Sequence, residues 1–338
     1  MRTNTLMKPL LLCLLVAFSF ALVPAASAQP GEFVKGVLQP LADGFPKRAI
    51  DIIVVDDPGT RDDLWAKSLQ AATKGASPVN ILVHCEPSAV GGTWYTVLDV
   101  PKRDGGLDGY YPIVITSWGM ITDLHIDPGI REIGAKLEDL TMVIATDVIP
   151  YVMVQRKNAP WGKSFADLSK YALANPGKLR YISREIGSGA DILTESIMKI
   201  LGWKVEKIPQ GTFQEVASTV GAGMGDFGVC DLDSALASIN VGRLDAILVM
   251  GGEAQEVFKK ANPSCISASE AGLKKQNIGI DMGLGVPTGV PQSHIDWLYK
   301  LFSFAANTDL HKRRLKLFAG TSQEIKDGKT MDALHRDI

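Results

Sequence analysis

Short apolar runs rich in β-branched residues alternate along this chain with stretches of helical periodicity, and this alternation constrains the fold more than any other feature. In the first third of the chain, strand-like runs occupy residues 50–55, 79–83 and 112–116, and helical stretches occupy residues 62–73 and 92–100. Strands separated by helices are typical of βαβ units, whose successive strands are parallel. The pattern therefore predicts an α/β protein with mostly parallel sheets.

The alternation occurs in two series, separated by a longer apolar run at residues 141–154. A chain of this length is sufficient for two hydrophobic cores. We predict that residues 29–145 begin the first lobe, that residues 146–250 form the second, and that residues 251–338 return to the first lobe and add C-terminal helices. Because ligands of open α/β sheets bind beyond the carboxyl ends of the strands, the site is expected between the lobes.

The N-terminus has the features of an export signal. Arg2 and Lys8 precede the apolar run 10–23, and Ala-Ser-Ala at residues 26–28 resembles a cleavage site. The apolar run is too short for a membrane span. We therefore expect residues 1–28 to be removed, with cleavage near Ala28.

The overall charge argues against a nucleic-acid-binding function. The chain has a formal net charge of −2 and no basic run, whereas binding to nucleic acid requires a basic surface. Cys85, Cys230 and Cys265 follow no zinc or redox spacing, so we expect them to be free thiols and predict no metal and no cofactor.

The segment VVDDPGTRDD, residues 54–63, places a Pro-Gly turn and four acids between a strand and a helix. It matches neither a calcium loop nor a phosphate loop. Its backbone N–H groups, the Thr60 hydroxyl and the Arg61 guanidinium suit an anion. The predicted ligand-binding residues of this loop are Asp57, Gly59, Thr60 and Arg61.

The remaining acids of this segment have a structural explanation. Asp62 or Asp63 at the start of the helix can accept free backbone N–H groups and oppose the positive end of the helix dipole. Either Asp56 or Asp57 is expected to face a polar group of the ligand, and the other to face solvent.

Two further strand ends of the first lobe carry small polar residues. A Gly-rich turn leads to Gly92 and Thr93 at the start of a helix, and the next strand ends at Thr116 and Ser117. Helix N-termini favour anionic oxygens, so these four residues belong to the predicted site. Each glycine turn is also compatible with a purely structural role.

In the second lobe, YISREIGSGAD (residues 181–191) repeats the strand, turn and helix order and contributes Ser183, Arg184 and Ser188 to the predicted site. Arg184 and Arg61 from opposite lobes are candidates for a two-sided clamp on a carboxylate, because guanidinium groups bind carboxylates through paired hydrogen bonds. The alternative is that each pairs with an acid next to it in the sequence.

No enzyme active site emerges from the sequence. There is no Gly-x-Ser-x-Gly elbow, and His84 and Cys85 are adjacent in a strand, so their side chains point to opposite faces. His125 and Asp127 lack a third metal ligand. His294 and His311 are interpreted as surface residues.

Several of these segments together resemble the periplasmic receptors of tripartite tricarboxylate transporters, the Bug proteins. The resemblance covers nearly all of the chain after residue 28, in order, and its most specific motifs lie at residues 108–110 (DGY) and 174–179 (ANPGKL). It implies a type II periplasmic-binding fold, with two α/β lobes joined by crossing strands around a ligand cleft. It also implies a small carboxylate ligand, a membrane permease as partner, and a periplasmic location. We expect a monomer.

The resemblance also extends the predicted site. Two further binding positions of the family correspond to Gln210 and Asp231 in this chain. The family's aspartate aligns with Cys230, and Asp231 is the next residue. In the first loop the family pattern Pro-Gly-Gly-Gly-Thr-Asp is matched at three positions: Pro58, Gly59 and Asp63. It is replaced at three others: Thr60, Arg61 and Asp62.

These departures lie in the ligand loops, so they bear on the ligand more than on the fold. Two added arginines suggest a more anionic ligand such as a dicarboxylate. Trp94 and Trp118 near strand ends suggest an aromatic acid instead, or belong to the core. A ligand sensor that presents its closed form to a signalling partner would use the same cleft.

Overall fold

The computed structural model of the chain describes residues 29–87, 92–252, 256–315 and 322–337. The predicted export signal, residues 1–28, lies outside the described residues. Within them, no helix has the length and apolar character needed to cross a membrane.

The first part of the chain builds most of lobe 1. Apolar, β-branched runs form its strands, and helices follow the strands of the βαβ series, as the alternation predicted. Its strands are β1 (Phe33–Val34), β2 (Val37–Leu38), β3 (Ile50–Val54), β4 (Ile81–Cys85), β5 (Ile113–Thr116) and β6 (Leu140–Ile149). Its helices are α1 (Arg61–Ala72), α2 (Gly92–Asp99), α3 (Ser117–Ile126) and α4 (Pro128–Glu132).

The second part builds lobe 2 from a similar series of strands and helices. Its strands are β7 (Tyr151–Arg156), β8 (Arg180–Ser183), β9 (Glu206–Pro209), β10 (Phe227–Asp231), β11 (Leu244–Met250) and β12 (Ile266–Ser267). Its helices are α5 (Phe165–Ala174), α6 (Gly189–Leu201), α7 (Phe213–Gly221), α8 (Leu232–Asn240) and α9 (Glu256–Ala261). β12 pairs with β11, so the second sheet continues past residue 250, where the sequence placed the return to lobe 1.

The last part of the chain completes lobe 1. It consists of β13 (Ile280–Pro287), α10 (Gln292–Asn307), α11 (Asp309–Leu315), β14 (Ser322–Asp327) and α12 (Gly328–Asp337). In the core of lobe 1, Trp65 of α1 and Trp297 of α10 are each 1% exposed. Burial of such large aromatic side chains anchors both helices to the sheet.

The two sheets are mixed, which corrects the expectation of mostly parallel sheets. The order in lobe 1 is β14-β6-β13-β5-β3-β4, and in lobe 2 it is β12-β11-β7-β10-β8-β9. β13 is antiparallel to β5 and β6, and β7 is antiparallel to β10 and β11. β7 and β13 follow the crossings between the lobes. β7 enters lobe 2 at the carboxyl end of β10, so it must run against that strand.

The chain passes between the lobes at two adjacent places. One is Pro150, between β6 and β7; the other is Gly279, just before β13, where the chain leaves lobe 2. A Cβ atom on Gly251 would lie 2.4 Å from the Cα of Gly279, and Gly251 has a φ of +91°. Glycine is therefore needed at residue 251, which packs against the backbone that returns to lobe 1 at Gly279. The crossings place the carboxyl ends of β3, β5, β8 and β10 around one cleft.

Candidate functional site

A buried aspartate anchors the loop between β3 and α1. Asp63, the third residue of α1, accepts a hydrogen bond from the Gly59 N–H at 2.7 Å and pairs with the Lys67 ammonium at 2.8 Å. The Cys85 thiol donates to its other oxygen at 3.4 Å. Burial alone would raise the pKa of Asp63, but these partners hold it below its ordinary value. Of the candidate acids, Asp63 is the one that anchors the helix start.

Thr60, Asp57 and Gly59 were also predicted to bind the ligand, and their contacts in the structure are local. The Thr60 hydroxyl donates to the Asp57 carbonyl at 2.8 Å, so it closes its own turn instead of capping α1. Asp57 is exposed. Gly59 has a φ of +90°, and its N–H donates to the Asp63 carboxylate.

Arg61 crosses the cleft. Its Nη2 lies 3.1 Å from the Asp231 carboxylate and 2.5 Å from the Asp233 carboxylate, both in lobe 2. Burial lowers the pKa of Arg61, but the two carboxylates outweigh that effect and raise it above its ordinary value. The sequence left two interpretations of Arg61, a clamp on a ligand carboxylate and a pair with an acid next to it. Neither describes this contact, because its partners are 170 and 172 residues away in the sequence.

Asp231 is held in place on the lobe 2 side. It is the last residue of β10 and forms the N-cap of α8, accepting a hydrogen bond from the Ser234 N–H at 3.0 Å. Its second oxygen faces Arg61. Asp233 was missed by the sequence reasoning, although Asp-x-Asp at a helix start is a visible signal for paired acids at a helix N-terminus.

Asp62 adds a further acid on the lobe 1 side. Burial raises its pKa to about 6, the Asp56 carboxylate adds to the rise, and Arg61 opposes it. The α1 end of the cleft therefore combines one arginine with several carboxyl groups.

The predicted residues of α2 and α3 lie at helix starts. Gly92 is buried and Thr93 half-buried in the first turn of α2, and Thr116 is the N-cap residue of α3 without a side-chain capping bond. Ser117 is the first residue of α3; its side chain, like that of Trp118, lies outside the description. Trp94 is fully buried, and its indole N–H donates to the Met120 carbonyl at 2.9 Å. Trp94 thus belongs to the core and is not a stacking surface.

The loop between β8 and α6 repeats the anchor of lobe 1. Asp191, the third residue of α6, accepts from the Gly187 N–H at 3.0 Å and pairs with the Lys207 ammonium at 2.6 Å. Ser188 caps α6 through a hydrogen bond from the Asp191 N–H to its hydroxyl at 3.4 Å. Both lobes therefore present a glycine turn and a helix N-terminus, each fixed by a buried aspartate.

Arg184 differs from Arg61 in its partners. Within the described chain it forms no ion pair with a carboxylate, and its buried Nε has no hydrogen-bond partner. Its guanidinium carbon lies 4.8 Å from the centre of the Phe213 ring, a cation–π contact. The phenol of Tyr151 lies in the electrostatic field of both Arg184 and Asp231. Tyr151 and Phe213, neither singled out from the sequence, thus lie close to Arg184.

Ser183 and Gln210 lie beside Arg184 at the ends of β8 and β9. The Gln210 N–H donates to the Ser183 carbonyl at 2.8 Å, which extends the pairing of the two strands. The Ser183 side chain is fully buried, and within the described residues its hydroxyl has no hydrogen-bond partner.

A cavity of about 350 Å³ lies between α3 of lobe 1 and the β8–α6 loop of lobe 2. Arg184 lines it together with acids from both lobes. Burial raises the pKa of Asp123 to about 6, and the carboxylates of Asp127 and, across the cleft, Glu185 add to the rise. The other lining residues are Gly119, Thr122, Ile186, Gly187, Ser188 and Gly189.

The interpretation of His294 and His311 as surface residues is wrong. His294 is 7% exposed, stacks on Phe45 and places its Nε2 2.8 Å from Asp43. His311 is fully buried. Both side chains lie in the interior of lobe 1, which the cationic sequence around His311 concealed.

His311 lies in a chain of contacts that has the composition of a hydrolytic triad. Its Nδ1 is 2.9 Å from the Ser68 hydroxyl and its Nε2 is 3.3 Å from Asp147. All three residues have zero exposure, and Asp147 also accepts from the Trp65 indole N–H at 2.7 Å. No substrate can reach this serine in the folded state, so the group acts as a buried link between α1, α11 and β6.

Comparison with known proteins identifies the family. Residues 107–326 match the sequence profile of the tripartite tricarboxylate transporter family receptors, TctC. The chain belongs to this receptor family. The match spans more than half of the chain and includes all of lobe 2. Over 289 residues, the chain is also 26% identical to a UPF0065 protein of Bordetella pertussis, covering 85% of this chain and 81% of that protein.

Solved structures share the fold. A TctC solute-binding protein from Polaromonas matches with a TM-score of 0.71 at 20% identity, over 87% of this chain and 96% of the other. The MatC protein of Rhodopseudomonas palustris, with bound malate, matches with a TM-score of 0.60 at 20% identity, over 87% and 97%. An R. palustris protein with adipate matches with a TM-score of 0.59 at 17% identity, over 87% and 94%. The type II periplasmic-binding fold is confirmed.

Proposed function

We propose that this receptor is an exported, periplasmic protein that captures a small organic anion between its lobes and delivers it to a membrane permease of the tripartite tricarboxylate type. The expected ligand classes are dicarboxylates and aromatic carboxylates. Capture is a binding event without a chemical step.

The observation that supports this proposal most is the environment of the Arg184 side chain. Its guanidinium lies beside a cleft cavity, stacks on Phe213 and has no carboxylate partner in the described chain. An arginine held in this way offers paired N–H donors to a ligand carboxylate. The N-terminus of α6, with Ser188 at its cap, lies in the same cavity wall and adds backbone N–H groups that favour anionic oxygen.

The malate and adipate bound by two structural neighbours support the class of ligand. Both molecules are small organic acids. Ligand selection in this chain depends on its own loops, which depart from the family pattern at Thr60, Arg61 and Asp62.

The mechanism we propose is lobe closure about the two crossings at Pro150 and Gly279. A ligand that contacts both lobes stabilises the closed arrangement by its differential affinity for that state. Short crossing segments absorb the rotation, while each sheet moves as a body. The permease then recognises the closed form.

Isothermal titration calorimetry with a panel of aliphatic and aromatic mono- and dicarboxylates tests the proposal. We expect at least one acid to bind and Arg184→Ala to weaken its binding. The proposal fails if no acid in the panel binds to protein that was purified without refolding. Native mass spectrometry of the same preparation, which detects a co-purified acid, identifies the ligand directly.

The permease partner is tested separately. Co-purification of the ligand-loaded receptor with permease subunits encoded beside its gene supports delivery to a transporter. A sensor kinase that binds the closed form instead would redirect the proposal to signalling.

A further inference from the structure

Arg61 and Arg184 face the same cleft, but of the two only Arg184 is without a carboxylate partner among the described residues. We propose that Arg61 is reserved for an ion pair between the lobes, so that the cleft accepts one carboxylate and selects a monocarboxylate with an uncharged remainder. The inference rests on the proposed function, because it narrows the class of anion that the same cleft binds.

The first step is the charge balance at the α1 end of the cleft. One Arg61 guanidinium contacts two carboxylates, Asp231 at 3.1 Å and Asp233 at 2.5 Å. Asp62 lies next to Arg61 in the same helix turn. At this end of the cleft the two lobes therefore carry more carboxylates than cations. A second ligand carboxylate placed there would face negative charge.

The second step is that both partners are held in place. Arg61 is the first residue of α1, whose loop is fixed by Asp63, and Asp231 is fixed as the N-cap of α8. The Arg61 side chain is 24% exposed and that of Asp231 14%. A cation at a helix N-terminus is unfavourable for the helix dipole, so Arg61 owes its position to these acids and not to α1.

The third step is the surroundings of the free arginine. Arg184 stacks on Phe213, and the rings of Phe213 and Tyr151 lie with their centres 6.0 Å apart. A carboxylate on Arg184 would therefore have aromatic carbon beside it, and Arg61 at the α1 end is already paired with two acids. This arrangement suits an aromatic or alkyl acid with a single charged end.

Matched pairs of acids test the selection by calorimetry. Benzoate is compared with terephthalate, and hexanoate with adipate, since each pair shares its carbon frame. Like charges placed together across a binding site oppose association strongly, so we expect the better-bound monocarboxylate to exceed its dicarboxylate by roughly tenfold or more. Equal or tighter binding of the dicarboxylate overturns the inference.

The double variant Asp231→Asn with Asp233→Asn tests whether the ion pair causes the preference for the monocarboxylate. Asparagine also caps helices well, so α8 should remain intact while Arg61 is released. The preference for the monocarboxylate should then fall or reverse. Asp309→Asn, at the exposed start of α11, is the matched control and should leave the preference unchanged. A preference that survives the double variant contradicts the role of the ion pair.

A measurement on the ligand-free protein tests independently whether the ion pair links the lobes. Small-angle X-ray scattering of Arg61→Gln should show a larger radius of gyration than the wild type, because the lobes lose their link. The wild-type radius should also rise between 0.1 and about 1 M salt, which screens exposed charges. An unchanged radius in both experiments overturns the inference. If no acid binds at all, the proposed function fails, and the scattering result still decides whether the lobes are linked.

Discussion

The loops that begin α1 and α6 are built alike, yet their arginines have different partners. Each loop has a glycine with positive φ, Gly59 at +90° and Gly187 at +82°. Each glycine N–H donates to the third residue of the helix, a buried aspartate that also pairs with a lysine. The two lobes thus present equivalent helix N-termini to one cleft.

The difference lies in what surrounds each arginine. Arg61 meets Asp231 and Asp233 across the cleft, whereas Arg184 meets the ring of Phe213. Two loops with the same backbone arrangement therefore do not provide equivalent anion-binding sites. A guanidinium is available to a ligand only if no carboxylate of the protein is paired with it.

The largest expected effect separates the two arginines directly. Arg184→Ala should weaken binding of the cognate acid by roughly 10- to 100-fold, because hydrogen bonds to charged groups contribute about 1.5–3 kcal/mol. Calorimetry measures the change. Arg313→Ala, which removes an exposed arginine on α11, is the control and should bind normally. Unchanged affinity in Arg184→Ala would remove this residue from the site.

The shared anchor predicts similar losses of stability in the two lobes. Asp63→Ala and Asp191→Ala each leave a lysine and a glycine N–H without their acceptor, at a cost of about 2 kcal/mol. We expect each variant to lower the Tm by roughly 4 °C or more. Thermal unfolding followed by circular dichroism measures this, with Asp309→Ala as an exposed helix-start control. A loss in one lobe only would show that the anchors are not equivalent.

Removal of the hydroxyl should destabilise the protein more at residue 188 than at residue 60, because Ser188 caps its helix and Thr60 does not. Ser188→Ala removes a side-chain cap and should cost about 1 kcal/mol. Thr60→Ala removes only the hydrogen bond to the Asp57 carbonyl and should cost about half as much. Comparison of the two Tm values under identical conditions tests the difference. Equal losses would mean that Thr60 also supports its helix.

The smallest effect concerns the pH dependence of the α1 loop. Asp62 has its pKa raised to about 6 in the folded state, above the ordinary value of 3.8. Its contribution to stability is therefore complete below about pH 4 and is lost as the pH rises through 6. Asp62→Asn should raise the Tm at pH 7 by roughly 2 °C and flatten the profile between pH 4 and 7. Asp57→Asn, in the same loop but exposed, should keep the wild-type profile.

Much of the fold could be predicted because its signals are local. The helix predicted at 92–100 is observed as α2, Gly92–Asp99, and the apolar run at 141–154 forms two strands interrupted by Pro150, which has no backbone N–H to donate. The direction of β7 and β13 was not predictable in this way. It depends on the side from which the chain enters each sheet, and periodicity carries no information about that.

The sequence by itself determined the two α/β lobes, the helix starts at the strand ends and the family, because hydrophobic periodicity, turn residues and capping residues act over a few positions. Only the tertiary structure decided which of two arginines is free. Arg61 finds its acids about 170 residues away, His311 is buried despite its cationic neighbours, and both outcomes depend on how separate elements pack. Charge pairing is a property of distances in space, and the order of residues does not specify those distances one by one.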